Sequence, residues 1–160
     1  MLNITIICIG KLKEQYLRDA SAEYVKRLSS SCKLSIVELN GEKLSDNPSQ
    51  KEIENALHAE GKRIIEKIPK GSTVYTMCIE GKQRTSEELS CEIDNLAVTG
   101  VSSLVFIIGG SFGLSDEVKK LSHQRLSMSK MTFPHQLARI MLLEQIYRAM
   151  QISLGSKYHK

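Results

Sequence analysis

The 160-residue sequence contains no tryptophan and only three prolines, and aromatic residues make up 5% of it. Its four cysteines, Cys8, Cys32, Cys78 and Cys91, are widely spaced and form no CxxC pair. Without such a pair, or a histidine at ligand spacing, the pattern predicts neither a zinc site nor a redox motif. We expect buried, reduced thiols, no metal site and no covalent nucleophile.

Long hydrophobic runs are missing as well. The uncharged stretch between Leu96 and Asp116 contains several glycines and serines, so it is not typical of a membrane span. The apolar run at the N-terminus is short and is followed, not preceded, by lysines, which is not typical of a signal peptide. No Pro/Gly/Ser-rich linker divides the chain. We expect one cytoplasmic domain over residues 1–160, without a membrane partner.

Acidic residues are almost absent from the last quarter of the chain. Residues 1–118 carry 14 Lys/Arg and 17 Asp/Glu, whereas residues 119–160 carry 8 Lys/Arg and only Glu144. A positive charge concentrated in this way favours a polyanionic partner, most simply a nucleic acid, although a solvated basic face explains the charge equally well.

Apolar patterns predict four strands, each followed by a helical pattern. The strands are predicted at residues 2–9, 33–39, 73–79 and 103–108. The helical patterns cover residues 12–28, 53–68, 85–96 and a short stretch from about residue 115. The sequence EGKQ at 80–83 predicts a turn, and Thr85 with Glu88 predicts a capping box. This alternation predicts an α/β domain, with a mostly parallel sheet and helices on both faces.

The segment FIIGGSFGLSDEV, residues 106–118, places three glycines between the fourth strand and a short helix. Its GGxxG spacing does not match the dinucleotide fingerprint, and the GK[ST] ending of a Walker A loop is absent. Asp116 and Glu117 occupy the helix N-terminus where a phosphate would bind. The glycines therefore either only turn the chain, or let a ligand without phosphate lie against bare backbone. S-adenosylmethionine is such a ligand.

A long helix is predicted from Pro134 to about Leu154. Proline suits a first helical turn, and apolar residues cover more than one face of this helix. We expect one side to pack on the sheet and the other on a second subunit, which predicts a homodimer. Arg139, Glu144 and Arg148 on the same helix disfavour membrane association.

Several segments together resemble one family. They are ITIICIGKLKEQY near the N-terminus, EGK at 80–82, FIIGGSFGLS, LSMSKMTFPHQLARIMLLEQIYRA at 126–149, and the terminal YHK. In order and spacing the chain is similar to the SPOUT class of RNA methyltransferases, and within it to the ribosomal methyltransferase H family. These enzymes methylate N3 of a pseudouridine in 23S rRNA.

The resemblance implies a deep C-terminal trefoil knot, beginning near the third strand, that holds S-adenosylmethionine in a bent shape. Its implied cofactor contacts are Met77, Gly109, Met128, Ser129, Lys130, Met131, Thr132 and Phe133. An apolar residue at position 77 fits the contact expected under an adenine ring, and backbone groups of the loop can bind the edge of adenine.

The same resemblance implies ribosomal RNA as the substrate, and the small size of the chain favours a large structured target such as the assembled ribosome. Transfer to an imide nitrogen requires that its proton be removed or its anion stabilised. Tyr158 and His159 are the candidate catalytic residues, and Arg139 and Lys157 are candidate substrate contacts. For His135 a capping or packing role is expected. A frayed and inactive chain end remains the alternative for the tail.

Two other functions remain open from the residues. One is a non-catalytic RNA-binding or ribosome-associated module, which needs no cofactor. The other is a nucleotide-dependent α/β enzyme, which Asp116, Glu117 and the late position of the glycines disfavour.

Overall fold

Five strands alternate with five helices in the computed structural model, which describes residues 1–160. The strands are β1 (Asn3–Ile9), β2 (Lys33–Leu39), β3 (Thr73–Gln83), β4 (Ser103–Ile108) and β5 (Gln124–Ser127). The helices are α1 (Gln15–Leu28), α2 (Gln50–Lys67), α3 (Ser86–Val98), α4 (Asp116–Leu121) and α5 (His135–Ser153). None of the helices is both long and apolar enough to cross a bilayer.

All five strands form one parallel sheet in the order β2-β1-β4-β3-β5. The central strands β1 and β4 are buried on both faces, which explains why their sequences are mostly apolar. Because the strands are parallel, the loops that follow them lie at the same edge of the sheet. The predicted α/β class is therefore confirmed, and the sheet is entirely parallel.

Helices cover both faces of the sheet. Helices α1, α3 and α5 pack on one face, where Leu28, Ile93 and Leu142 meet the Ile4 side of β1. Helices α2 and α4 pack on the other, where Ile64 and Val118 meet the alternate residues of β1. The strand period of two distributes consecutive isoleucines between two cores. Helix α5 lies against both α1 and α3, so much of its apolar surface is buried within one chain.

The structure corrects the prediction of a turn at 80–83. Strand β3 continues through those residues to Gln83, with an irregularity in its pairing between Met77 and Lys82. Strand β5 was not predicted, since its sequence QRLS has no apolar alternation. Gly81 is required where the two strands meet, because a Cβ there would lie 2.7 Å from the backbone of Arg125.

The structure tests three smaller predictions. The capping box of Thr85 and Glu88 is confirmed at the start of α3. Pro134 is the N-cap of α5 and not its first helical residue. The cysteines are all free, but the prediction that all are buried is wrong for Cys91, which is exposed on α3.

Candidate functional site

A pocket of about 870 Å³ opens at the carboxyl ends of β4 and β5, beside the irregular part of β3. Its walls come mainly from residues within three segments, 77–80, 108–114 and 126–135, and Lys119 of α4 and Ala138 of α5 complete the lining. Ligands of α/β folds bind beyond the carboxyl ends of the strands, and small-molecule pockets have volumes in this range. The pocket is therefore the candidate functional site, and it includes the glycine segment.

Seven of the eight candidate cofactor residues line this pocket. They are Met77, Gly109, Met128, Ser129, Met131, Thr132 and Phe133. Lys130 is exposed and lies outside the lining. The segment that contains them is ordered by its own hydrogen bonds, because the Ser127 hydroxyl donates to the Ser129 carbonyl and the Met131 amide donates to the Ser129 hydroxyl.

The glycine loop closes on itself. The Gly113 amide donates to the Gly110 carbonyl at 3.0 Å, and Gly113 has a φ of +82°. A Cβ at Gly109 would lie 2.3 Å from the Gly113 carbonyl oxygen, a distance that no side chain tolerates. The glycines therefore turn the chain, which is one of the two interpretations that the sequence left open. The same turn brings bare backbone to the wall of the pocket.

The start of α4 is already occupied by side chains of the protein. The Ser115 hydroxyl accepts a hydrogen bond from the Val118 amide at 3.3 Å. Glu117 contacts Nδ1 of His58 on α2 at 2.8 Å, so it holds two helices together. These contacts agree with the sequence argument against phosphate at this helix end.

One ion pair lies in the wall of the pocket. Nζ of Lys119 donates to Oε1 of Glu80 at 2.6 Å, and among the lining residues these two alone are Asp, Glu, Lys or Arg. The hydrogen bond from Lys119 holds the pKa of the Glu80 carboxyl below its usual value, so this carboxyl is ionised at neutral pH. Sequence reasoning missed both residues because it treated Glu80 as part of a turn.

His135 also lines the pocket, at the first position of α5. Partial burial and the nearby Arg139 lower the pKa of its imidazole, so the ring is neutral at physiological pH. The sequence predicted a capping or packing role for this residue. A neutral, half-buried ring in the wall is consistent with packing.

The two candidate catalytic residues lie away from the pocket of their own chain. The Tyr158 hydroxyl donates to Glu144 at 3.1 Å, and its ring packs 4.8 Å from that of Tyr147. Nε2 of His159 lies 2.8 Å from Glu87. Along α5, the lining residue Ala138 and Tyr147 are nine residues apart, a rise of about 13 Å.

The environment of Tyr158 keeps its phenol protonated. Partial burial and the hydrogen bond to Glu144 raise its pKa to about 12. Both ring nitrogens of His159 have partners, since Nδ1 lies 3.2 Å from a guanidinium nitrogen of Arg148. In this structure the tail is held by hydrogen bonds to Glu87 of α3 and to Glu144 and Arg148 of α5.

The two candidate substrate contacts have different environments. Arg139 is only 2% exposed, pairs with Glu38 at 2.6 Å and donates to the Gly10 carbonyl at 3.0 Å. Its guanidinium joins α5 to the ends of β1 and β2. Because this group is buried, Arg139 is not among the proposed RNA contacts. Lys157 is exposed and has no ion-pair partner.

A family model described as "Predicted SPOUT methyltransferase" matches residues 2–159, nearly the whole chain. The chain belongs to the SPOUT methyltransferase family. Relatives include two proteins named "Ribosomal RNA large subunit methyltransferase H". The one from Clostridium beijerinckii is 55% identical and the one from Bacillus thuringiensis is 52% identical. Each alignment covers 99% of this chain and 100% of the relative.

A similar fold is also found among solved structures. A probable methylase family protein from Haemophilus influenzae is similar over 99% of this chain and 71% of that protein, with a TM-score of 0.55. At 14% sequence identity, this likeness concerns the fold alone. The pocket described above is thus the candidate active site of a SPOUT methyltransferase.

Proposed function

We propose that the chain transfers a methyl group from S-adenosylmethionine to N3 of a pseudouridine in large-subunit ribosomal RNA, in the cytoplasm. The pocket between the ends of β4 and β5 and the irregular part of β3 is the observation that carries this proposal, since it gathers seven of the eight residues that the family resemblance marked. The names of the curated relatives support ribosomal RNA as the substrate.

The chemistry of the pocket fits the methyl donor. Its inner wall contains the buried side chains of Ile108, Leu114 and Leu126. The face of an adenine ring can pack on this apolar surface. The neighbouring loops offer backbone amides and carbonyls for the ring edge. The wall has a single basic side chain, already paired with a carboxylate, so it suits a ligand without phosphate.

A trefoil knot belongs to the same proposal. Leu126 of β5 is paired in register with Met77 and also with Lys82, so β3 bends around β5. Residues 128–134 then run beside the glycine loop before α5 begins. The close contact of these three segments supports the proposal of a knot, in which the chain passes through a loop of its own backbone.

Basic residues near the pocket supply the proposed contacts to RNA. Lys82, Arg125 and Lys130 are exposed and form no ion pair, and Lys157 is a further free cation on the tail. Phosphate contacts of this kind position an RNA without reading its sequence. We propose the assembled ribosome as the substrate that positions the base.

Methyl transfer in this proposal depends mainly on positioning. S-adenosylmethionine supplies the methyl group, while the protein aligns the imide nitrogen and accepts or stabilises its charge. Tyr158 and His159 are proposed to contact the base. Because the tail lies about 13 Å along α5 from its own pocket, we propose that it serves the pocket of a second subunit.

Exposed apolar side chains support a homodimer. On α5, Leu137 is 42% exposed, and Leu154 at the end of the helix is 71% exposed. Met141 between them is half-buried. Pairing of this helix with its copy would bury these side chains and bring each tail towards the other subunit.

Mass mapping of ribosomal RNA from cells with and without the gene tests the proposal. Loss of one methyl group from one pseudouridine of the large-subunit RNA is the expected result, and an unchanged map contradicts it. Failure of the purified protein to bind S-adenosylmethionine at millimolar concentration would favour a non-catalytic RNA-binding module.

A further inference from the structure

The ion pair in the pocket wall contributes little to the stability of the fold. The Glu80 side chain is 54% exposed and that of Lys119 is 22% exposed. Ion pairs at such exposure contribute about 1 kcal/mol or less to stability. A stabilising role therefore does not explain why the charges lie in this wall, and a ligand contact does.

The pair lies at the solvent-facing end of the pocket. Ile108 and Leu126, in contrast, form a buried apolar wall. Met77, the candidate adenine contact, precedes Glu80 by three residues on β3, a separation of at most about 10 Å. A ligand with a flat apolar end and a charged end is therefore oriented, with its charged end at the mouth.

S-adenosylmethionine has these two ends, since it carries adenine at one and an α-ammonium with an α-carboxylate at the other. We propose that Glu80 accepts hydrogen bonds from the α-ammonium group and that Lys119 donates hydrogen bonds to the α-carboxylate. This inference rests on the proposed function, because it requires this cofactor. One acidic and one basic side chain match one cationic and one anionic group, and each keeps an opposite charge beside it.

Titration calorimetry with two ligands tests the assignment on the full chain. S-adenosylhomocysteine contains the amino-acid end, whereas 5′-methylthioadenosine keeps the adenosine and the thioether but lacks that end. In Glu80→Gln and in Lys119→Gln, the affinity for S-adenosylhomocysteine should fall roughly five- to tenfold. The affinity for 5′-methylthioadenosine should change less than about twofold, since this ligand has no charged group for Glu80 or Lys119 to contact.

Two substitutions on α4, the helix that carries Lys119, serve as matched controls. Glu117→Gln and Lys120→Gln remove the same charges from α4 at positions outside the pocket lining. Neither should change the affinity for either ligand, because Glu117 contacts His58 and Lys120 is exposed without a partner.

The outcomes separate this inference from the proposed function. If the pocket variants weaken both ligands equally, or leave S-adenosylhomocysteine unaffected, the pair does not hold the amino-acid end and the assignment is overturned. If the unsubstituted protein binds neither ligand, the proposed function itself fails.

Discussion

At the scale of single residues, Gly109 has no room for a side chain. Its Cβ position lies 2.3 Å from the Gly113 carbonyl oxygen, so Gly109→Ala must displace the loop that forms one wall of the pocket. We expect a loss of about 1 to 3 kcal/mol in unfolding free energy. The affinity for S-adenosylhomocysteine, measured by calorimetry, should fall with it.

Gly100→Ala is the control for this substitution. Gly100 has a φ of +90° but nothing within 4 Å of its Cβ position, and it lies outside the pocket. It should cost about 1 kcal/mol in backbone strain and leave ligand affinity unchanged. Unchanged affinity in Gly109→Ala as well would show that the loop is not part of the site.

The buried thiols predict a loss of stability in alkaline solution. Burial raises the pKa of Cys8 and of Cys32 to about 11, from 9.0 for an exposed thiol. Between those values the unfolded chain releases protons that the folded chain retains, so the unfolding free energy falls as pH rises. Urea denaturation from pH 8 to 10.5 measures this slope.

Substitutions of cysteine isolate the source of that slope. Cys8→Ala with Cys32→Ala should make it shallower. The buried Cys78 and the partly buried Tyr158, whose pKa values burial also raises, contribute to the remainder. Cys91→Ala should leave the slope unchanged because Cys91 is exposed. An identical slope in all three proteins would refute the assignment to the buried thiols.

At the scale of elements, Arg139 fastens α5 to the sheet through Glu38. Arg139→Met leaves that carboxylate without its partner and should lower the unfolding free energy by about 2 kcal/mol. Adding Glu38→Gln should recover part of the loss. RNA affinity of the folded protein should not change, since the guanidinium is 2% exposed.

The opposite result would restore the role that the sequence suggested. If Arg139→Met is as stable as the unsubstituted protein but binds ribosomal RNA more weakly in a filter-binding assay, Arg139 contacts the substrate. Such a result would require α5 to rearrange when RNA binds.

Element prediction succeeded where a segment carries its own signal. Apolar runs located β1 to β4, with β2 and β4 placed at their observed residues, and Thr85 marked the start of α3. Strand β5 and the extension of β3 depend on each other, because Leu126 pairs with residue 82, more than forty positions earlier. Pairing between distant segments leaves no local pattern, so these two features could not be predicted.

At the scale of the whole molecule, the family resemblance named residues that gather around one pocket, but local sequence chemistry did not reveal the ion pair in its wall. Residues 109–113 of the glycine segment and residues 128–133 line the same pocket, except for Lys130. The pair of Glu80 and Lys119 joins positions 39 residues apart, and the fold of the tail depends on Glu87 and Glu144. Tertiary contacts of polar side chains have no periodic signature in a sequence.

The proposed exchange of tails predicts complementation between two inactive proteins. A chain lacking residues 158–160 and a chain carrying Gly109→Ala should each be inactive as dimers. After mixing and subunit exchange, methyl transfer should return, because one dimer then holds an intact pocket beside the partner's intact tail. A mixture that stays inactive, with exchange verified by native mass spectrometry, would show that each tail serves its own chain.

The central claim is tested most directly by methyl transfer to ribosomes. Purified protein is incubated with methyl-labelled S-adenosylmethionine and ribosomes from cells lacking the gene, and the labelled RNA is mapped by mass spectrometry. The account predicts one label per ribosome, on N3 of a single pseudouridine of the large-subunit RNA. Ribosomes that stay unlabelled, or a label at any other atom, would contradict it.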